Sequence, residues 1–305
     1  MTKVIEADRG ISVWWHLTRP HTLTASFVPV FLGTAIAFSL ENTTIHYGVF
    51  FAMLIASMLI QAATNMFNEY YDYKLGLDTK DSVGIGGTIV RHGVAPRTIM
   101  MIALSFYGIA LLLGIYICYM SSWWLAAVGL VCMGIGFLYT GGPYPIAYSP
   151  FGELVSGAVM GMGIVLIAFY IQTGYITLNA VLLSVPSMIL VGAIMLSNNI
   201  RDIVGDTEGG RKTLAILVGR EHAISVLSAF FIVSYLWIIA LVAIDGITAW
   251  TLLVILSVPK ALRAIEIFRD KQAPKEVMPA MKFTAQTNTF FGFLLGVGLL
   301  LGYFL

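Results

Sequence analysis

Nine apolar runs dominate the sequence: about 22–40, 47–70, 97–120, 122–140, 153–173, 178–200, 221–244, 247–262 and 283–305. A membrane-crossing helix needs roughly 20 apolar residues, and all but the eighth come close to that length. Inside a bilayer every backbone amide must find its partner within a helix or a closed barrel. Runs of this length therefore predict an all-α fold: a polytopic membrane protein with nine transmembrane helices. Composition agrees, with 58% hydrophobic and 11% charged residues, against roughly 25% charged in soluble domains.

The basic residues set the orientation. Lysine and arginine favour cytoplasmic loops. All 17 of them precede the first run or lie between runs two and three, six and seven, or eight and nine, with Arg97 and Lys260 at the edges of their runs, leaving the loops after runs one, three, five and seven without any. This alternation predicts a multi-pass protein of the cell membrane with a cytoplasmic N-terminus and an external C-terminus. It would fail if one run had been missed. No cleavable signal peptide is expected, because Glu6, Asp8 and Arg9 precede Trp14 and Trp15 and the first run starts only near Thr22. The net charge of +1 gives no sign of a nucleic-acid partner. Cys118 and Cys132 lie inside apolar runs and read as reduced core residues. The mixed basic and apolar segment 262–282 reads as a helix on the membrane surface.

Two stretches at run ends carry the chemistry. Asn65–Asp78 reads N-M-F-N-E-Y-Y-D-Y-K-L-G-L-D, and Ser197–Asp206 reads S-N-N-I-R-D-I-V-G-D. Asn68 and Asp72 are four residues apart, as are Asn198 and Asp202, so each pair shares a helix face. Asp206 extends the second stripe by one turn. Both stretches fall on the cytoplasmic side, four spans apart, and each precedes a double glycine, Gly86-Gly87 and Gly209-Gly210. A weak internal repeat follows: two four-helix pseudo-repeats plus a ninth helix, in one domain over 1–305, with the motifs at 65–81 and 197–213.

Carboxylates beside membrane spans cost about 2.5–3.5 kcal/mol each at the helix centre, so they point to function. Asp72, Asp78, Asp202 and Asp206, with Asn68, Asn198 and Asn199 as neutral donors, form an oxygen-only set suited to Mg2+. Lys74, Arg91, Arg201, Arg211 and Lys212 are interleaved with them. Carboxylate, Mg2+ and surrounding basic groups suit a diphosphate. Ordinary helix caps and juxtamembrane charges are the bland alternative, and two motifs at matching depth weigh against it.

The motifs N-E-Y-Y-D-x5-D and N-N-I-R-D-x3-D resemble the two aspartate-rich motifs of the UbiA superfamily of intramembrane aromatic prenyltransferases. T-R-P-H-T-L-T-A-S-F-V-P-V at Thr18–Val30, Y-T-G-G-P-Y-P-I-A-Y at Tyr139–Tyr148 and R-D-I-V-G-D-T-E-G-G-R-K-T-L-A at Arg201–Ala215 are similar to the branch that prenylates 1,4-dihydroxy-2-naphthoate. The resemblance covers most of the chain. It departs at Glu69, where the superfamily commonly has Asp, which weakens Glu69 as a ligand.

The resemblance implies a reaction. Mg2+ bridges both motifs to a polyprenyl diphosphate, the C–O bond ionises to an allylic cation, the dihydroxynaphthoate ring attacks, and loss of carboxylate gives demethylmenaquinone. Asp72 and Asp202 would carry the catalytic charge, and the polyprenyl tail would lie among membrane lipid. Arg19, Tyr144 and Tyr148 are candidate substrate contacts. Tyr139 is a candidate for stabilising the cation, though tyrosines at helix ends are more often interfacial anchors. Glu153 reads mainly as a charge at the start of a span. Gly157, Gly161 and Gly163 suit close helix packing. Two other readings stand: a prenyltransferase for another aromatic acceptor such as 4-hydroxybenzoate, and a secondary transporter, which the lack of an ionisable residue in mid-span disfavours.

Overall fold

The computed structural model describes residues 11–77 and 87–305, and every regular element among them is helical. In chain order these are α1 (Ile11–Thr18), α2 (Pro20–Glu41), α3 (Tyr47–Lys74), α4 (Thr88–His92), α5 (Pro96–Met120) and α6 (Trp124–Leu138). Next comes α7 (Gly152–Ser156), which runs through a π-helical stretch, Gly157–Gly163, into α8 (Ile164–Thr173). Then follow α9 (Leu178–Glu208), α10 (Leu214–Val218) and α11 (Arg220–Ala243). A 3-10 stretch, Ala249–Ser257, leads directly into α12 (Val258–Asp270), and α13 (Pro274–Phe304) closes the chain.

Among the described residues, seven helices are long and apolar enough to cross a membrane. They correspond to expected runs one, two, three, five, six, seven and nine. Run four appears as α6, with only 15 residues. Run eight is the nine-residue 3-10 stretch joined to α12. A 3-10 helix rises about 2.0 Å per residue against about 1.5 Å in an α-helix, so this short run reaches further than its length suggests. The 262–282 segment is not one surface helix. It breaks at Lys271–Ala273, because Pro274 cannot continue α12 but is well suited to open α13. Arg220 fixes this corner, donating from Nη2 to the Phe268 and Lys271 carbonyls at 2.8 and 2.5 Å, a cation at the carbonyl end of α12.

Helix α9 is the central post. Leu183, Leu190, Ala193, Leu196 and Ile200 are all buried along its length, in one cluster with Phe169, Phe231, Phe268, Phe291 and Leu295 from four other helices. At Gly161 a Cβ would stand 2.5 Å from the Ser187 carbonyl oxygen, and at Gly157 one would stand 2.3 Å from that of Met188. The glycines thus let the π-helical stretch lie directly on the α9 backbone. Helix α3 packs on α5, and α2 on α8 and α13. Met101, Leu104, Leu112 and Ile115 of α5, with Ile232 and Leu236 of α11, are exposed. Apolar faces of that kind on span-length helices suit lipid.

Both motifs are helical over most of their described length and end in turns. Helix α3 continues to Lys74 and α9 to Glu208, several residues past the ends of the apolar runs. At 31 residues, α9 is about 46 Å long, against about 30 Å of hydrocarbon. Its last turns therefore carry Asn198, Asp202 and Asp206 to one end of the bundle.

Candidate functional site

A cavity of about 550 Å³ lies between α2, α3, α5, α6, the α7–α8 segment and α9, with Pro274 and Met281 of α13 closing one side. It has two chemical ends. Asn68, Asp72, Asn198, Asp202, Asp206, Arg19, Arg91, Arg201 and Arg211 line one. Leu111, Ile115, Leu125, Leu130, Ile135 and Met160 belong to the apolar remainder, which extends to Cys118 and Trp123 near the far end of α5. Helical spacing explains the first end: Asn68 and Asp72 share one face of α3, and Asn198, Asp202 and Asp206 one face of α9.

Two arginines occupy the carboxylates. Arg211 donates from Nη2 to Asp72 Oδ1 at 2.6 Å and from Nη1 to Asp206 Oδ1 at 2.9 Å, joining the two motifs. Its position follows from the double glycine. Helix α9 ends at Glu208, Gly210 takes φ +74, and the Arg211 amide returns to the Asp206 carbonyl at 2.9 Å. A left-handed residue there costs glycine little. Tyr148 lies against the other side of the guanidinium, with its ring centroid 5.1 Å from Cζ. Burial lowers the Arg211 pKa, but attraction to Asp72 and Asp206 outweighs it and leaves the pKa above its ordinary value. Arg201 forms a two-pronged pair with the neighbouring Asp202 carboxylate, and its Nη1 meets the sulfurs of Met278 and Met281 at 3.3 and 3.2 Å.

Arg19 stands at the break between α1 and α2 in a left-handed conformation, φ 49 and ψ 64. Such a backbone costs a non-glycine residue about 1–2 kcal/mol. Thr22 answers with two hydrogen bonds to the Arg19 carbonyl, at 2.8 Å from its amide and 2.9 Å from its hydroxyl. Strain of this kind collects at functional sites.

The other expected site residues divide. Tyr139 lines the cavity at the end of α6, where its carbonyl accepts the Ala147 amide at 2.9 Å. Asn199 lines it too, but its amide nitrogen donates to Glu153 at 2.8 Å. Lys74 and Lys212 are exposed and outside the wall. Tyr144 is 91% exposed and also outside. Tyr148 touches Arg211 and is not itself in the wall. Asp78 lies outside the described residues.

The sequence reading missed three features. Glu153 is buried at 4% exposure and fixes Asn199, more than a helix-end charge would do. Both cysteines line the cavity as free thiols. Gln61 and Asn65 continue the Asn68–Asp72 stripe deeper into α3. The Asn65 amide nitrogen donates to the Thr18 carbonyl at 3.0 Å and the Thr22 hydroxyl at 2.9 Å. Gln61 Nε2 reaches Asn65 Oδ1 at 3.4 Å, while Gln61 Oε1 is buried with no partner. The i, i+4, i+7, i+11 spacing of 61, 65, 68 and 72 was the available signal. Glu69 flanks this stripe and is not in the cavity wall. Fully buried, it accepts the Ile89 amide at 3.1 Å and pins α4 to α3.

The donor set suits Mg2+ by its chemistry: carboxylate oxygens of Asp72, Asp202 and Asp206 beside the amides of Asn68 and Asn198. No group of three acidic, histidine or cysteine side chains is already gathered for a metal among the described residues. The arginines hold the carboxylates instead, and Mg2+ characteristically takes only one or two protein carboxylates plus water and phosphate.

Residues 26–287 match the UbiA prenyltransferase family. The chain belongs to the UbiA prenyltransferase family. As a UbiA-family chain with span-length apolar helices, it is a multi-pass membrane protein. It is 59% identical to the 1,4-dihydroxy-2-naphthoate octaprenyltransferase of Bacillus subtilis, over 96% of this chain and 93% of that protein. It is 31% identical to UbiA prenyltransferase domain-containing protein 1 of Xenopus tropicalis, over 90% of this chain and 79% of that one. The fold is shared with a UbiA homologue from Aeropyrum pernix K1 in its apo form, with a TM-score of 0.69 at 17% identity over 93% and 98% of the two chains. A UbiA homologue from Archaeoglobus fulgidus bound to DMAPP and Mg2+ gives 0.60 at 15% identity over 93% and 99%.

Proposed function

We propose that this chain transfers a polyprenyl group from polyprenyl diphosphate to 1,4-dihydroxy-2-naphthoate with loss of carboxylate, giving demethylmenaquinone in menaquinone biosynthesis. The observation that carries the reading is the 59% identity, spanning 96% of the chain, to a naphthoate octaprenyltransferase. The two-ended cavity supports it: a charged end for a diphosphate joined to an apolar remainder for its tail. Asn68, Asp72, Asn198, Asp202 and Asp206 would hold Mg2+, and Asp78 joins them by the resemblance of N-E-Y-Y-D-x5-D to the family's first aspartate-rich motif. Bound Mg2+ supplies positive charge that makes the diphosphate a better leaving group.

The chain's own residues do the rest. Arg211, Arg201, Arg91 and Arg19 provide fork-shaped donors for phosphate oxygens. Tyr139 offers its ring face to positive charge developing at the allylic carbon. The apolar walls keep water from that carbon, so the aromatic ring is the nucleophile within reach. Gln61 Oε1, a buried acceptor without a donor, suits a hydroxyl of the dihydroxy acceptor, and its loss leaves that hydroxyl unpaired. Gln61→Leu is accordingly expected to raise the KM for the aromatic acceptor about tenfold, the effect of a lost hydrogen bond, with the KM for the diphosphate little changed. Steady-state kinetics with each substrate varied in turn reads this, and equal effects on both KM values would refute the assignment.

The whole chain acts as one domain in the cell membrane. In this reading α6 and the 3-10–α12 segment are short crossings that bring the count to nine. The two motif helices and the site face the cytoplasm, and the C-terminus lies outside. The test is product identity. Purified protein in detergent with Mg2+, a polyprenyl diphosphate and either dihydroxynaphthoate or 4-hydroxybenzoate should give the decarboxylated naphthoate product by mass. A prenylated hydroxybenzoate alone would move the chain to the other acceptor class. Solute flux in vesicles without any prenylated product would make it a transporter.

A further inference from the structure

We infer that Arg211 is a built-in surrogate for the metal: its guanidinium bridges the two motifs until Mg2+ and diphosphate arrive together, and it then exchanges its carboxylates for phosphate oxygens. The inference rests on the reading of a Mg2+–diphosphate site given above. It starts from charge. Three carboxylates, Asp72, Asp202 and Asp206, line the charged end of one cavity from two helices far apart in the chain. Bare, they would repel one another and hold the two helices apart. Arg211 answers two of them at once, Asp72 of α3 and Asp206 of α9, at 2.6 and 2.9 Å, and Arg201 covers Asp202. The Arg211 side chain is 14% exposed and its two partners 16% and 10%, so the bridge is poorly screened by water.

Two features make this an exchange device and not a permanent strut. The bridge leaves Arg211 Nε buried without a partner, a donor that the motif carboxylates do not satisfy. The arginine also sits on the short segment between α9 and α10, next to Gly210 in its left-handed turn, so its Cα is not fixed within either motif helix. Tyr148 flanks it through the ring face and through a hydrogen bond from the Lys212 amide to the Tyr148 carbonyl at 3.0 Å. That contact keeps the guanidinium at the site when its carboxylates are taken by metal. Mg2+ alone must compete with a cation already in place, and an anion alone meets guanidiniums already engaged. Together, each ligand releases the partner that the other requires, and reciprocal coupling follows.

The test uses Mn2+ as the probe, titrated into the full-length protein in detergent without any phosphate and followed by the EPR signal of free Mn2+. Wild type should bind weakly, and Arg211→Gln about tenfold more tightly. Arg211→Lys decides between bridge and bare charge. It keeps the positive charge but not the fork, so it should also tighten Mn2+ several-fold. Arg211→Lys behaving as wild type while Arg211→Gln tightens would leave a charge effect only and overturn the bridge. No change in either variant would overturn it as well. A third measurement needs no variant: inorganic pyrophosphate should raise wild-type Mn2+ affinity about tenfold, after correction for Mn2+–pyrophosphate binding in protein-free buffer. Absence of that coupling overturns the exchange even if both variants fail to fold. Failure of every form to bind Mn2+, with or without pyrophosphate, would instead remove the metal-site reading on which the inference rests.

Discussion

Excess EDTA is expected to bring prenyl transfer to background while the protein stays folded. The two halves of this expectation have different physical sources. Turnover needs positive charge beside the leaving diphosphate, and cations placed where negative charge develops contribute several kcal/mol. Arginines alone do not replace that, because Arg201 and Arg211 already answer the motif carboxylates. Folding rests elsewhere, on the apolar cluster along α9 and on hydrogen bonds internal to each helix. With the carboxylates paired to guanidiniums, removal of metal uncovers no lone buried charge. Initial rates by product mass, run beside a thermal melt followed by circular dichroism, check both halves. Undiminished turnover in EDTA would defeat the two-motif metal reading, and a large drop in the melting temperature would mean that the metal is structural.

Most of the architecture was legible because membrane-spanning helices obey a strong rule: each needs a long apolar run. Seven of the nine expected runs are helices of spanning length. Two fall short: α6, a regular helix that covers only Trp124–Leu138 of its run, and the 3-10 stretch, where residue count misjudges length because the rise per residue differs. The surface helix expected at 262–282 failed for a local reason. Its amphipathic character is real, but Pro274 divides it and Arg220 ties the break to the core.

The site was legible where periodicity carried it. The four-residue spacing of Asn68 with Asp72, and of Asn198 with Asp202 and Asp206, turned those side chains toward one cavity. Interleaved basic charge added Arg211 and the resemblance added Tyr139, but neither gave their contacts. Tyr144 stands outside the cavity wall, and a tyrosine in a short loop has no periodicity to say which way it faces. Gln61, Asn65 and Glu153 were missed for another reason. Neutral amides and a single acid at the edge of an apolar run give little charge signal; the helical spacing of Gln61 and Asn65 with Asn68 and Asp72 was a signal, while Glu153 is marked only by its contact with Asn199.

Asp72→Asn and Asp202→Asn should each lower initial rates by about a hundredfold or more, the scale of losing one electrostatic contributor to a transition state. Each leaves shape and an oxygen donor in place and removes one charge. Each variant should also reach the membrane, since an amide is less costly to embed than a carboxylate. The double variant discriminates more sharply. If the two motifs act on one leaving group, the first substitution already disables the unit. The second then adds far less than its own single loss, as in groups that work together. The Arg211 bridge between Asp72 and Asp206 gives a structural reason to expect this, because it brings the two motif helices within reach of a single cation. The measurement is the initial rate at saturating diphosphate and Mg2+ for wild type, both single variants and the double. Losses that simply multiply would assign the motifs to separate sites. A near-normal rate in either single variant would remove that motif from the catalytic assignment, and with it the requirement that α3 and α9 converge on one diphosphate.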